Sequence, residues 1–146
     1  MREAEAFFHQ QIPLTRAMGV RVVKHDTTGF TLEAPVALNY NHLHTAFGGS
    51  INAVATLAGY GVLWLELRAG AAHIVIRESS IRFLRPVRET IRATCSVPDQ
   101  EQLQTFRARL AAKGKARLTL EVRVEENGAT AAEFTGTFVA LASSGG

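Results

Sequence analysis

Residues 46–65 carry no charged side chain. A chain with twenty such positions in a row must shelter them in lipid or inside its own core. Ser50, Asn52, Thr56 and four glycines interrupt the apolar run, and the segments that follow alternate like strands needing something to wrap. A buried core helix is therefore expected rather than a membrane span.

The way this helix begins is informative. A polar loop, residues 37–45, runs into Gly48 and Gly49. The first turn of any helix leaves four backbone N–H groups without intrahelical partners, at the positive end of the helix dipole. Two glycines there keep β-carbons away from those amides, which makes the pair a candidate oxyanion pocket. Close packing explains the pair equally well when it is taken alone.

Around this helix the periodicity is mostly that of strands. Residues 4–18 place Ala4, Phe7, Phe8, Ile12 and Leu14 on one side of a short amphipathic helix that Pro13 ends or kinks. Strands are expected at 20–24 and 29–36, joined by a turn at 25–29, and again at 73–84, 90–97, 115–126 and 129–142. Asn127-Gly128 joins the last two and is a strong hairpin signal. The central helix is expected to run out at Arg68, Ala69 and Gly70, and residues 143–146 to form a frayed tail. Residues 99–113 show Leu103, Phe106 and Leu110 at helical spacing between Pro98 and Gly114, which fits either a surface helix or a disordered excursion. One long apolar helix and about six strands joined mostly by hairpins imply an α+β domain, with an antiparallel sheet curling around the helix.

At 146 residues the chain suits one domain, 1–146, with one core, and its 47% hydrophobic content can fill that core. The net charge of +3 and pI near 9.5 come from scattered arginines, with Arg82, Arg85, Arg88 and Arg92 the only dense group. That is too little for a nucleic-acid footprint. The single cysteine, Cys95, excludes an intrachain disulfide framework and sits in an alternating apolar strand, where it reads as core. Two early glutamates distinguish the N-terminus from a signal peptide, so a cytoplasmic location is expected.

The layout, the run HTAFGGS at the head of the central helix and the later SSIRFLRPV resemble the hot-dog-fold thioesterases, and among them the YiiD C-terminal thioesterase family. The likeness spans about residues 12–141. In related enzymes the helix opens with His-Gly-Gly, an asparagine lies shortly before it, and an Asp or Glu lies about two and a half turns inside. Here Phe47 stands at the histidine position, Gly48 and Gly49 match, Asn41 falls at the asparagine, and Thr56 falls at the acid. The resemblance implies an oxyanion donor at Gly48 and a coenzyme A or acyl-carrier-protein thioester as substrate, with no cofactor. It also implies a homodimer, possibly a tetramer, in which each third strand pairs with its mate and the site lies at the interface.

Thioester hydrolysis needs a polarised carbonyl, a placed water and a route for that water's proton. Asn41 or Asn39 can hold water or carbonyl, although either can equally satisfy its own turn. No Asp or Glu occurs from Asn39 to Leu65, and Glu66 lies some five turns beyond the glycines. Candidate bases are therefore His44, His42 and Glu78. Strand alternation puts Glu78 on the face of Ile76 and Ser80, where an ion pair with Arg77 or Arg82 is the plainer role. Asn52 and Thr56 can orient water or substrate, while Phe47, Leu57, Tyr60 and Trp64 line an acyl chain or simply pack. Arg82, Arg85 and Arg88 suit the phosphates of coenzyme A or form a solvated rim. Ser50 fits helix capping better than nucleophilic attack, because no elbow or triad surrounds it. No metal is expected, since the histidines lack further ligands at suitable spacing. The alternatives are a non-catalytic acyl-carrier binding module, which the Thr56 position favours, and a hydratase or dehydratase, which Phe47 argues against.

Overall fold

The computed structural model describes residues 2–67 and 72–143. The expected helix end at Arg68–Gly70 and tail residues 144–146 lie outside them. Two helices open the chain, α1 (Arg2–Gln11) and α2 (Pro13–Ala17). The break falls where the sequence places it, with Pro13 at the first position of α2, where a missing N–H costs nothing. Then follow β1 (Arg21–His25), β2 (Gly29–Pro35), a 3-10 turn (Val36–Leu38) and the central helix α3 (Gly48–Leu67). The rest comprises β3 (Ala72–Phe83), β4 (Thr90–Ser96), α4 (Gln100–Lys113), β5 (Lys115–Glu126) and β6 (Ala129–Ala142).

The strands form one antiparallel sheet in the order β1-β2-β4-β5-β6-β3. Alternation gives each strand one inward side: Phe30, Leu32 and Ala34; Ile91, Ala93 and Cys95; Leu120, Val122 and Val124; Ala132, Phe134 and Phe138 are all buried. They close on α3, whose Ile51, Val54, Ala55, Ala58, Val62 and Leu63 are buried as well. Two glycines let the helix settle deeply. A Cβ on Gly59 would stand 2.7 Å from the Phe138 ring, and one on Gly61 would overlap the Phe30 ring. This is the hot-dog arrangement, and it accounts for the uncharged stretch: α3 is the filling of the sheet.

On its other side α3 is covered by the N-terminal segment. Phe7 stacks on Trp64 at 4.9 Å between centroids, and Phe8 meets Tyr60 edge-on at 6.1 Å. Glu5 Oε1 accepts the Val22 N–H at 2.8 Å, and His9 Nε2 lies 2.8 Å from the Val20 carbonyl, which fastens α1 to the start of β1. The Asn127-Gly128 turn has positive φ at both residues, 53° and 78°, as the two-residue hairpin requires. In the β1–β2 turn, Asp26 Oδ1 accepts from Thr28 N–H, Thr28 Oγ1 and Gly29 N–H. These bonds, with the Thr28 hydroxyl foremost, hold its carboxyl down at about 2.

The segment left open in the sequence is a helix. Asp99 and Gln102 form a reciprocal capping box, and Gly114, at φ 72°, ends α4 in the left-handed conformation. Leu103 and Phe106 anchor it.

Candidate functional site

The loop before α3 is held in place by backbone bonds to the segment between β3 and β4. Val36 N–H donates to Glu89 O at 2.9 Å, and Ala46 N–H to Val87 O at 2.8 Å. That segment is itself stiffened by Glu126, whose carboxylate accepts the N–H groups of Arg88, Glu89 and Thr90 at 2.8–3.1 Å. Burial pushes the Glu126 carboxyl up, yet the three amides outweigh it and keep the group below its ordinary value.

The loop's asparagines serve the loop. Asn39 is buried, and its Nδ2 donates to Met18 O (2.9 Å) and Pro35 O (2.8 Å). Its expected contact with substrate has no support in this placement. Asn41 Oδ1 accepts from Leu43 N–H (2.9 Å) and Thr45 N–H (3.2 Å), while its Nδ2 donates to Thr45 Oγ1 (3.0 Å) and Ala46 O (3.4 Å). Both ends of that amide are engaged in an Asx-type turn. His42 and His44 are exposed, and His44, at φ 61°, stacks on Tyr40 at 5.2 Å instead of turning to the glycines.

At the head of α3, Ser50 and Ile51 N–H groups both donate to Phe47 O (2.9 and 3.1 Å). The amides of Gly48 and Gly49 meet no acceptor among the described residues. A Cβ on Gly48 would lie 3.3 Å from Phe83 Cζ, and one on Gly49 2.5 Å from Phe47 Cε2, so a side chain at either position would press on a phenylalanine ring. Ser50 lies inside this first turn, not at the cap expected of it.

Two clefts flank the helix head. The first, about 310 Å³, is lined on α3 by Gly49, Asn52, Ala53, Thr56, Leu57 and Tyr60, and is walled by Ile12, Leu14, Thr15, Met18 and Val20 from the N-terminal segment. Thr56 Oγ1 donates to Asn52 O at 2.8 Å, which leaves the hydroxyl oxygen free to accept. Asn52 Oδ1 is buried and finds no donor among the described residues. Burial raises the Tyr60 phenol, so it stays neutral at any ordinary pH. The second cleft, about 340 Å³, is lined by Ala46, Gly48, Ile51, Phe83, Leu84, Arg85 and Pro86.

The fold thus brings Gly49, Asn52, Thr56, Leu57 and Tyr60 together on one cleft and Gly48 with Arg85 on the other. Several residues fall elsewhere. A bulge at Arg77 shifts the β3 register: Ile76 pairs with Phe138, but Glu78 pairs with Thr137 and Ser80 with Thr135. Phe138 faces α3 and Thr137 does not. The extra residue therefore moves Glu78 to the outer face of the sheet, off the face of Ile76, and it pairs with neither Arg77 nor Arg82 among the described residues. Arg82 lies on that outer face, opposite Glu133. Arg88 contributes its backbone N–H to Glu126, and Arg92 is tied to Glu33 at 2.7 Å. Trp64 packs on Phe7 rather than along the cleft. Cys95 is fully buried in the core, and burial pushes its thiol up to about 12, which disarms it as a nucleophile. The residues that sequence reasoning missed are the cleft wall, Ile12 to Val20. Their amphipathic spacing was visible, but what they cover was not.

Fold and helix head together define a hot-dog thioesterase architecture. Residues 1–142 match the family described as "Putative thioesterase (yiiD_Cterm)", and the chain belongs to that family. Among solved structures, a protein of unknown function from Chlorobaculum tepidum is 30% identical over 97% of this chain and 93% of its own, with a TM-score of 0.90. A "putative thioesterase" from Shewanella oneidensis is also 30% identical, over 96% of each chain, with a TM-score of 0.83. A Pseudomonas aeruginosa protein at 24% identity, covering 97% of this chain and 95% of its own, shares the fold with a TM-score of 0.82.

Proposed function

We propose that this chain hydrolyses acyl thioesters of coenzyme A or of an acyl carrier protein at the head of α3. The observation that carries the reading is the pair of unpartnered glycine amides opening on two clefts, one apolar and one bordered by an arginine. The acyl chain occupies the apolar cleft, the carbonyl oxygen rests against the Gly48 and Gly49 amides, and the thiol carrier leaves past Arg85. Water accepted on Thr56 Oγ1 adds to the carbonyl carbon. The charge that develops on oxygen falls on preorganised donors, each worth about 3 to 4 kcal/mol in the transition state. Collapse breaks the C–S bond and expels thiolate, and the water's proton passes to solvent hydroxide.

That last step follows from the cleft's composition: its lining contains no Asp, Glu or His. Hydrolysis should therefore accelerate steadily as pH rises, with no plateau above the pKa of a carboxylate base. The same composition favours a second reading, a binding module that holds an acyl thioester without cleaving it.

Free thiol release from short, medium and aromatic acyl-coenzyme A thioesters, measured beside Gly48→Pro, separates the two. Proline suits the first helical position while deleting the N–H. We expect turnover that falls about 100-fold or more in the variant, beyond any loss shared with Gly48→Ala, which adds the same Cβ beside Phe83 but keeps the N–H. Equal rates would remove Gly48 from the site. No release, with tight binding of a thioether analogue, would make the chain a binder.

A further inference from the structure

We infer that the apolar cleft is built to take an acyl group bearing a hydroxyl, which donates to Asn52 Oδ1. This rests on the thioesterase reading of the same cleft and narrows its substrate class.

The cleft wall is apolar almost throughout, with Ile12, Leu14, Met18, Val20, Leu57 and the Tyr60 ring facing one another across it. In that setting a buried carbonyl oxygen without a donor is unfavourable, and native structures rarely leave one so. The neighbouring hydroxyl does not relieve it, because Thr56 gives its proton to the Asn52 backbone carbonyl at 2.8 Å. The side-chain oxygen of Asn52 is the one buried side-chain polar atom left unsatisfied among the described residues. In this conformation that oxygen is already closed to water; a half-turn of the amide about its broad terminal torsion exposes it on the cleft that Asn52 lines, where a purely aliphatic chain would leave it unpaired. A hydroxyl at the right depth would pair with it.

The helix sets the depth. Asn52 follows Gly49 by three residues, roughly one turn or 4.5 Å along the axis. An acyl group anchored by its carbonyl at Gly49 thus brings carbons about three to five bonds further along beside Asn52. A site that hydrogen-bonds a substrate hydroxyl discriminates strongly against the analogue lacking it, whereas an apolar pocket barely distinguishes chains differing by one methylene.

The test uses acyl-coenzyme A pairs with one carbon skeleton, with and without a hydroxyl at carbon 3 or 5, and ring-hydroxylated against plain aromatic acyl groups. Thiol release gives kcat/KM, and calorimetry with the matching non-hydrolysable thioethers gives Kd. The intact protein should favour the best hydroxylated member at least about tenfold in either measure. Asn52→Leu, which keeps the γ-branched shape in a somewhat larger side chain and removes the acceptor, should abolish or reverse the preference. Asn52→Asp, which keeps an acceptor, should retain it and guards against a Leu variant that fails to fold. Hydrolysis of both members of every pair at equal efficiency would overturn the inference and leave the thioesterase reading standing. A preference seen only in thioether binding, with no thiol release, would uphold the inference and retire hydrolysis. Binding of neither member would overturn both.

Discussion

Thr56 is where this chain departs furthest from the chemistry of the enzymes it resembles. Its hydroxyl can place a water but cannot accept that water's proton at neutral pH. A carboxylate at this point of the helix should supply what is missing. Thr56→Asp is expected to raise kcat for thiol release about 100-fold and to flatten the pH–rate profile above the new group's pKa, since positioned general bases contribute about 10²–10⁴. A variant that folds yet gains nothing would mean that water attack does not occur beside Thr56. The glycine pair at the head of α3 was legible as a feature, while its use stayed open in the sequence between free amides and close packing. The two asparagines were not: an amide that could hold water can also close a turn, and only the positions of Thr45, Met18 and Pro35 decide between these uses.

Among the elements, α3 depends on close approach to the sheet. Gly61 lies against the ring of Phe30, which is fully buried and cannot swing away. Gly61→Ala should therefore destabilise the protein by about 1–3 kcal/mol despite alanine's better helix propensity, measurable as a lower urea midpoint with an unchanged slope. The β1–β2 hairpin makes a separate prediction. Asp26 titrates at about 2 when folded, below the ordinary carboxylate value near 3.9. The stability from its turn bonds is complete above pH 4 and is lost as pH falls through about 2. Asp26→Asn should lower the melting temperature at pH 6 and narrow its difference from the parent protein at pH 2. A constant difference across that range would show that the charge is immaterial. Both elements were readable as period and turn chemistry. The helix α4 carries its own signal in Asp99, Gln102 and Gly114, a capping pattern stronger than its weak apolar stripe.

At the scale of the whole molecule, the sheet ends in β3, a strand of twelve residues whose outer edge pairs with no other strand among the described residues. Long open edges are normally covered or paired. Exposed Val75 and Phe83 sit on the strand itself, and exposed Phe47 and Leu84 lie beside its end at the helix head. We propose that two copies join through β3, so sedimentation should return twice the 15.8 kDa of one chain. Val75→Lys should shift that mass toward the monomer and reduce thiol release with it. A parent protein that sediments as a monomer at micromolar concentration would exclude this pairing. The division between sequence and tertiary structure follows from the range of the forces involved. Periodicity, caps and turn residues act over a few positions, and those alone determined one core helix, six strands, the Asn127-Gly128 hairpin and the glycine head of α3. The tertiary structure decided what depends on partners distant in the chain. The bulge at Arg77 turned Glu78 away from the helix, because strand register is set by pairing with β6. The N-terminal helices became one wall of the acyl cleft, because an apolar stripe is satisfied by whichever surface it meets.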